Sequence, residues 1–391
     1  MSTKLYLNKA QLKAELERCL KCADKPCMKA CPVKCSPQEF ISLAKEGNYT
    51  QAAASILSQN PMGQTCGLIC PDKFCMKACT RSRIDFSVNI PKVQATLLEN
   101  FRTDDDTVAT VEPNGYRIAV IGAGPAGLSA AAELSRCGFN VCIFEADGKI
   151  GGALTMIPQE RLPQSVIEKD AAPILNNSLV KLHLNSRIDN PASLFDQNFD
   201  GVIVACGEQN ITSLNIPGQE HSLPYTEYLH FPEKYRTDGK VAVIGGGNVA
   251  ADCAFTARQN GACAVEMFVR RRLSDMRISS HEHLELIERE INVNTLSSPV
   301  KITPKDGSLV LTVRKNQYAE GKLQPIAGSE AQLEGFSLII AAIGSKALSY
   351  PEDERIIYAG DCKTGGSTLV EALASGREAA RLTAERLTGR K

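Results

Sequence analysis

The stretch Arg117-Ile118-Ala119-Val120-Ile121-Gly122-Ala123-Gly124-Pro125-Ala126-Gly127 decides how this chain is read. After Arg117 come four apolar residues, then a glycine, then two more glycines at short spacing. An apolar run without polar alternation predicts a strand buried on both faces, as in a parallel sheet. The three glycines then serve a tight turn, close approach of the backbone to a pyrophosphate, and close packing of the next helix on the strand. That helix is expected to run to about Cys137, and a second strand covers 141–145. Glu145 ends the second strand, where an acid hydrogen-bonds a ribose hydroxyl. Strand, glycine turn, helix and terminal acid together predict a dinucleotide site holding Gly122, Gly124, Pro125, Ala126, Gly127 and Glu145.

The pattern returns once. Lys240-Val241-Ala242-Val243-Ile244 leads into Gly245-Gly246-Gly247-Asn248-Val249-Ala250, with alanine in place of the last glycine. A helix to about Asn260 and a strand to Val269 follow, so the two units form an internal repeat. Lining them up puts Val269 where Glu145 stands, and Arg270, Arg271 and Arg272 come next. Loss of the acid and gain of arginines suits a 2′-phosphate, because guanidinium meets phosphate in a fork geometry. This site is therefore expected to prefer NADPH to NADH. A solvated basic turn is the plainer alternative, and Glu266, earlier in the strand, competes for the role of the acid.

Cysteine usage is the second signal. Of 15 cysteines, nine fall between Cys19 and Cys79. Eight of the nine form two groups, Cys19-x2-Cys22-x4-Cys27-x3-Cys31-Pro32 and Cys66-x3-Cys70-Pro71-x3-Cys75-x3-Cys79. Short spacings let one loop place several thiolates around one iron–sulfur cluster, and a cysteine before proline commonly reaches a second cluster. Structural zinc uses similar spacings, but no histidine precedes His183 and Cys-Pro pairs favour clusters. Nine cysteines exceed the eight places of two clusters, and Cys35 and Cys66 are the outliers by spacing. The other six cysteines read as small buried hydrophobes. No Cys-x2-Cys follows residue 115, which disfavours a disulfide-exchanging reductase.

A chain of 391 residues, 43% hydrophobic and 23% charged, has ample material for several cores. With 44 basic and 44 acidic residues, nothing suggests nucleic acid or a membrane surface as partner. No apolar run is long enough for a membrane span, and the first residues lack a signal peptide's apolar core, so the default location is the cytoplasm. Two dinucleotide sites imply a flavin beside the nicotinamide, since a flavin accepts hydride and releases electrons singly to clusters. The five histidines show neither triad nor metal spacing, and no catalytic side chain is assigned.

These residues carry a family resemblance over nearly the whole chain. The segments are 18–27 (Arg18 to Cys27), 60–71 (Asn60 to Pro71), the glycines at 122–127, 157–163 (Ile157 to Pro163), and Ala359-Gly360-Asp361. The chain resembles the electron-input module of dihydropyrimidine dehydrogenase, above all the small stand-alone subunit of the bacterial enzyme. It is also similar to the small subunit of glutamate synthase. The resemblance implies FAD at the first fingerprint and two 4Fe-4S clusters. Cys19, Cys22, Cys27 and Cys79 would hold one. Cys31, Cys70, Cys75 and Gln94 would hold the other, leaving Cys35 and Cys66 unused. The loop from Cys70 to Cys75 is one residue shorter than in relatives. Gly151, Gly152, Arg161, Gly360, Asp361 and Thr368 would close over the FAD, with Asp361 on the ribitol. Gly246, Gly247, Asn248, Arg270, Arg271 and Arg277 would take the nicotinamide nucleotide, with 342–344 nearby, Gly344 included.

The expected fold class is α/β, with an N-terminal α-helical domain for two 4Fe-4S clusters, then two Rossmann-like dinucleotide-binding domains, the second inserted in the first. The boundaries are 1–115 for the helical domain with a polar linker from 102, 116–224 and 337–391 for the FAD domain, and 225–336 for the inserted NAD(P)H domain. The resemblance implies electron input for reduction of uracil or thymine on a catalytic partner subunit. Electron donation in glutamate synthase is the alternative, and a non-enzymatic metal-binding scaffold is the reading from a different class.

Overall fold

The structure, a computed structural model, describes residues 5–103, 111–207, 210–346 and 353–389. Half of the linker expected at 102–115, residues 104–110, lies outside the described residues. The described chain divides into two compact units, one within 1–155, 159–209 and 347–391, the other within 156–158 and 210–346.

The first unit opens with six helices: α1 Lys9–Glu17, α2 Pro26–Ala30, α3 Pro37–Lys45, α4 Tyr49–Gln59, α5 Gly63–Ile69 and α6 Ile90–Phe101. Asn8 and Gln11 form a capping box at the start of α1. Leu12 and Leu16 are buried, but Leu20, which shares their spacing, is 43% exposed. The helix ends at Glu17, and the chain turns into the first cysteine loop with Lys21 at φ 51°. α5 and α6 meet closely through a glycine: a Cβ on Gly67 would lie 2.6 Å from the Ala95 nitrogen.

The α/β part of this unit follows as β1 Arg117–Ile121, α7 Pro125–Arg136, β2 Asn140–Phe144, α8 Gln164–Leu175, β3 Val180–His183 and β4 Gly201–Val204. The chain then builds the other unit: β5 Asn210–Ile211, β6 Leu223–Pro224, α9 Tyr225–His230, β7 Lys240–Ile244, α10 Asn248–Gln259, β8 Ala264–Val269, α11 Ser280–Glu288, β9 Asn292–Thr295, β10 Ser297–Lys305, β11 Ser308–Ala319, β12 Lys322–Pro325, β13 Ala331–Ala341 and β14 Ser345–Lys346. It returns to the first unit with β15 Ile356–Tyr358, α12 Asp361–Thr364 and α13 Leu369–Thr388.

The first unit's sheet has the order β15-β4-β1-β2-β3 and is parallel throughout. The strand order reverses beside β1, and the crevice there, at the carboxyl ends of β1 and β4, is where an open α/β sheet binds its ligand. α13 lies against α7 at very short range: a Cβ on Gly376 would fall 1.9 Å from the Ala126 carbonyl oxygen. Ser129 Oγ donates to the Leu373 carbonyl at 2.8 Å across the same contact.

The helical region is tied to this sheet by one buried carboxylate. Asp170, on α8, is fully buried. It accepts from the Thr65 nitrogen and hydroxyl, both at 2.8 Å, and pairs with Arg102 at 2.8 Å. Arg102 caps α6 and Thr65 lies on α5, so one side chain fixes three helices.

The second unit has the sheet β10-β11-β13-β7-β8-β9, parallel from β13 to β9 and antiparallel at β10 and β11. Its span is wider than the 225–336 expected. β5 pairs antiparallel with β14 where the chain enters and leaves, and β6 adds to β13, so residues 210–224 and 337–346 belong to it. Among the described residues, no helix is long and apolar enough to cross a membrane.

Candidate functional site

The cysteines gather at two cavities inside the helical region. Cys19, Cys22, Cys27 and Cys79 line the first, with Lys25, Pro37, Thr80 and Ile90 among its other walls. Cys31, Cys70, Cys75 and Gln94 line the second. Cys35 and Cys66 line that second cavity as well. Pro37 and Ile90 belong to both, so the cavities share a wall. No three cysteine, histidine or acidic side chains among the described residues close in on one ion position. Thiols spread around a void suit a cluster of several irons better than a mononuclear zinc.

The loops are strained into shape. Lys21, Lys25 and Lys34 adopt φ of 51°, 45° and 58°, a left-handed region costly for residues with a Cβ. All three lie inside the cysteine loops. Such turns aim backbone N–H groups at sulfur: those of Val33, Lys34 and Cys35 reach Cys31, and that of Lys21 reaches Cys19. Hydrogen bonds of this kind stabilise thiolate charge and tune a cluster's potential. Without metal, burial pushes the Cys27 thiol up to about 11 and Cys75 up to about 12. The hydrogen bond with Cys66, added to burial, holds Cys70 well above the usual thiol range. The donor set of each cavity fits a four-iron cluster. Gln94 is buried; its Nε2 donates to the Gly63 carbonyl at 2.6 Å, and its oxygen accepts from the Cys35 thiol, which lines the same cavity, at 3.9 Å.

The first fingerprint forms its cradle from glycines. Gly122 has φ 105°, and a Cβ there would stand 2.4 Å from the Ala205 carbonyl oxygen at the end of β4. A Cβ on Gly127 would stand 1.9 Å from the Gly122 carbonyl oxygen. α7 starts at Gly124 and Pro125 with no side-chain cap, so its N-terminal N–H groups face the crevice as an anion site. Glu145 is buried at the end of β2 and accepts from the Ala123 nitrogen at 2.7 Å. Gly151 donates to the Ala123 carbonyl at 3.0 Å, and a Cβ on Gly152 would lie 3.2 Å from the Gly124 Cα. The Gly151-Gly152 turn therefore closes on the fingerprint. From the other side Gly360, at φ 71°, approaches Ala126. Asp361 opens α12; burial pushes its carboxyl up, and it accepts from the Ser367 hydroxyl. Thr368 caps α13 in a box with Glu371. Arg161 is half-buried on the turn before α8.

The second fingerprint repeats this plan. Gly245 has φ 154°, and its Cβ would lie 2.2 Å from the Ala342 carbonyl oxygen, so Ala342 matches Ala205. Val269 contacts Gly246 where Glu145 contacts Ala123. Glu266 is engaged mid-strand with Lys240 at 2.7 Å and Asn294 at 3.1 Å, away from the strand end. Asn248 Oδ1 is buried with no partner among the described residues, an acceptor left for a ligand at the start of α10. Arg277 donates its backbone N–H to the Gly246 carbonyl at 3.0 Å, which brings it to the cradle. Arg272 is committed locally: it pairs with Asp275 at 3.0 Å and stacks 4.4 Å over Tyr318. Arg270 and Arg271 follow Val269 directly at the end of β8. Gly344, at φ 85°, accepts from the Thr212 nitrogen at the strand pair that enters and leaves this unit.

Sequence reasoning missed Ala205, Val370 and Asp170. The first had a signal: Val204-Ala205-Cys206-Gly207 and Ala341-Ala342-Ile343-Gly344 are a second small repeat, each after an apolar strand. Val370 lines the second cavity from α13, the helix that also packs through Gly376 on Ala126 of the dinucleotide cradle.

Comparison with known proteins agrees with this geometry. Residues 2–106 match the family model for dihydropyrimidine dehydrogenase domain II, 4Fe-4S cluster, and residues 116–373 match that for pyridine nucleotide-disulphide oxidoreductase. The NAD-dependent dihydropyrimidine dehydrogenase subunit PreT of Escherichia coli K12 is 31% identical over 94% of this chain and 92% of its own. Its homolog in Salmonella typhi is 30% identical over the same shares. Among solved structures, Mycobacterium tuberculosis FprA in complex with NADPH superposes with a TM-score of 0.62 at 17% identity, over 71% of this chain and 85% of that one, a likeness of fold. Such agreement removes the scaffold alternative. The chain belongs to the pyridine nucleotide-disulphide oxidoreductase family, on the branch of the dihydropyrimidine dehydrogenase subunits, and is an oxidoreductase of FAD, 4Fe-4S clusters and NAD(P)H.

Proposed function

We propose that this chain is the electron-input subunit of a dihydropyrimidine dehydrogenase, oxidising NAD(P)H and passing electrons to a partner subunit that reduces uracil or thymine. FAD supplies the exchange between a two-electron donor and one-electron carriers. The chain's own residues bind and position. Gly122, Gly124, Pro125, Ala126, Gly127 and the α7 N-terminus take the FAD pyrophosphate, and Glu145 takes the ribose. Gly151, Gly152, Arg161, Gly360, Asp361 and Thr368 enclose it, with Asp361 on the ribitol. Gly246, Gly247, Asn248, Arg277 and Gly344 seat the nicotinamide nucleotide. Arg270 and Arg271 bias it towards NADPH, although the named relatives are NAD-dependent. Cys19, Cys22, Cys27 and Cys79 hold one cluster. Cys31, Cys70 and Cys75, with Gln94, hold the other.

One observation carries the reading: α13 both borders the dinucleotide cradle and contributes Val370 to the second cavity, beyond which the shared Pro37–Ile90 wall leads to the first. That is an ordered route outward from the flavin. The test is anaerobic. The purified chain with NADPH or NADH is expected to reduce an artificial one-electron acceptor but not uracil, and to reduce uracil once its partner subunit is added. A chain that purifies without flavin and iron from iron-replete cells would sink this reading.

A further inference from the structure

The second cavity holds more donors than a four-iron cluster uses. Five thiols and one carboxamide line it, against four thiols in the first. Cys66 hydrogen-bonds Cys70, and Gly67 pins its helix to α6, so it is held beside a ligand already counted. Cys35 is placed differently. Its Sγ lies 3.9 Å from Gln94 Oε1, and both side chains are buried. The bond from Gln94 Nε2 to the Gly63 carbonyl keeps that oxygen turned towards the thiol. Thiol and amide oxygen thus stand in contact on the lining of one cavity. Cys35 also ends the left-handed loop whose N–H groups reach the Cys31 sulfur, so its backbone is fixed by the cluster-binding turn itself.

We propose that Cys35 is a second ligand for the iron that Gln94 serves, so that this cluster exists with four thiolates as well as with three and a carboxamide. The inference rests on the cluster reading above. Soft thiolate is a much better iron ligand than a neutral amide oxygen, and the two donors stand 3.9 Å apart on the same cavity. In the exchange the iron–oxygen bond to Gln94 breaks and the iron–sulfur bond to Cys35 forms. The thiol proton leaves to solvent, and no electron moves. The four-thiolate form carries one more negative charge, which makes the cluster harder to reduce.

The experiment compares full-length variants purified anaerobically and selected for full flavin content, which reports an intact fold. Iron and sulfide are counted, and the clusters are followed by electron paramagnetic resonance and redox titration. Gln94→Ala is expected to keep the iron of two four-iron clusters, with the second cluster's potential shifted down. Gln94→Ala with Cys35→Ala is expected to lose one iron and show a three-iron signal when oxidised. Gln94→Ala with Cys66→Ala should keep all the iron. Loss of the iron in Gln94→Ala alone, or equal loss with Cys66→Ala, overturns the proposal while leaving the cluster reading standing. Absence of iron from the unaltered chain overturns both.

Discussion

Gly122 and Gly124 are two residues apart and do different work. Gly122 cannot take a side chain, because its φ of 105° and the 2.4 Å approach of the Ala205 oxygen both forbid it. Gly124 has φ −79°, and its nearest neighbour to a Cβ is Gly152 at 3.9 Å, an ordinary contact. Gly122→Ala is therefore expected to cost about 1–3 kcal/mol of stability along with its flavin. Gly124→Ala should melt near the unaltered temperature yet retain little flavin, because the methyl occupies the pyrophosphate's approach. Melting curves and flavin-to-protein ratios separate the two. A second expectation belongs to Arg270 and Arg271. Replacing both with serine should lower kcat/KM for NADPH about tenfold or more, on the order of 1.4 kcal/mol, while NADH changes little. Steady-state assays with both nucleotides check it, and equal losses would return these arginines to the status of a solvated turn.

At the scale of elements, Asp170 deserves a direct trial, since α5, α6 and α8 meet on it. Asp170→Ala strips Arg102 of its buried partner and should destabilise the chain by about 3–5 kcal/mol, read in the denaturant midpoint. It should also lower iron content, because α5 leads into Cys70. Nothing in the sequence marks this residue: an aspartate in the run Glu168-Lys169-Asp170 reads as a surface charge until the tertiary fold buries it. Other elements were legible. Both fingerprints show strand, turn and helix at nearly their true limits, because buried parallel strands leave apolar runs and the glycines punctuate them. The antiparallel β10 to β12 are harder to read, although their turns are visible in the sequence. Asp306-Gly307 and Glu320-Gly321 take φ of 47° and 76°, and 52° and 74°, the paired left-handed conformation of two-residue hairpins. Half-exposed strands such as β11 dilute the apolar signal, and α1 stops short of Leu20 because a ligand loop overrides helical spacing.

Across the whole molecule, the cysteine spacing separated the two thiol groups well, but chain order cannot say which thiols a cavity will gather. Cys35 and Cys66 looked surplus and stand in the second cavity, brought there by the packing of α3, α5 and α6. Metal removal gives a global readout. In the metal-free chain the Cys27 and Cys75 thiols are raised from 9.0 to about 11 and about 12 by burial, so they stay protonated at neutral pH. Cluster assembly must then release protons, and loading in vitro is expected to improve from pH 7 to pH 9. The sign for stability is opposite. A raised thiol favours the folded state at and below the unfolded value, and that support is lost as pH climbs from 9 through 11 to 12. Thermal melts of metal-free and loaded protein should diverge over that range, with the former falling more steeply.

The partition made by Pro37 and Ile90 bears on how the chain stores charge. Two compartments one side-chain layer apart, in an interior that screens poorly, feel each other's charge by more than thermal energy. An electron entering one compartment therefore raises the cost of placing another next door. Such repulsion favours a single mobile electron over an accumulated pair, so the helical region works as a relay emptied after each arrival rather than as a reservoir.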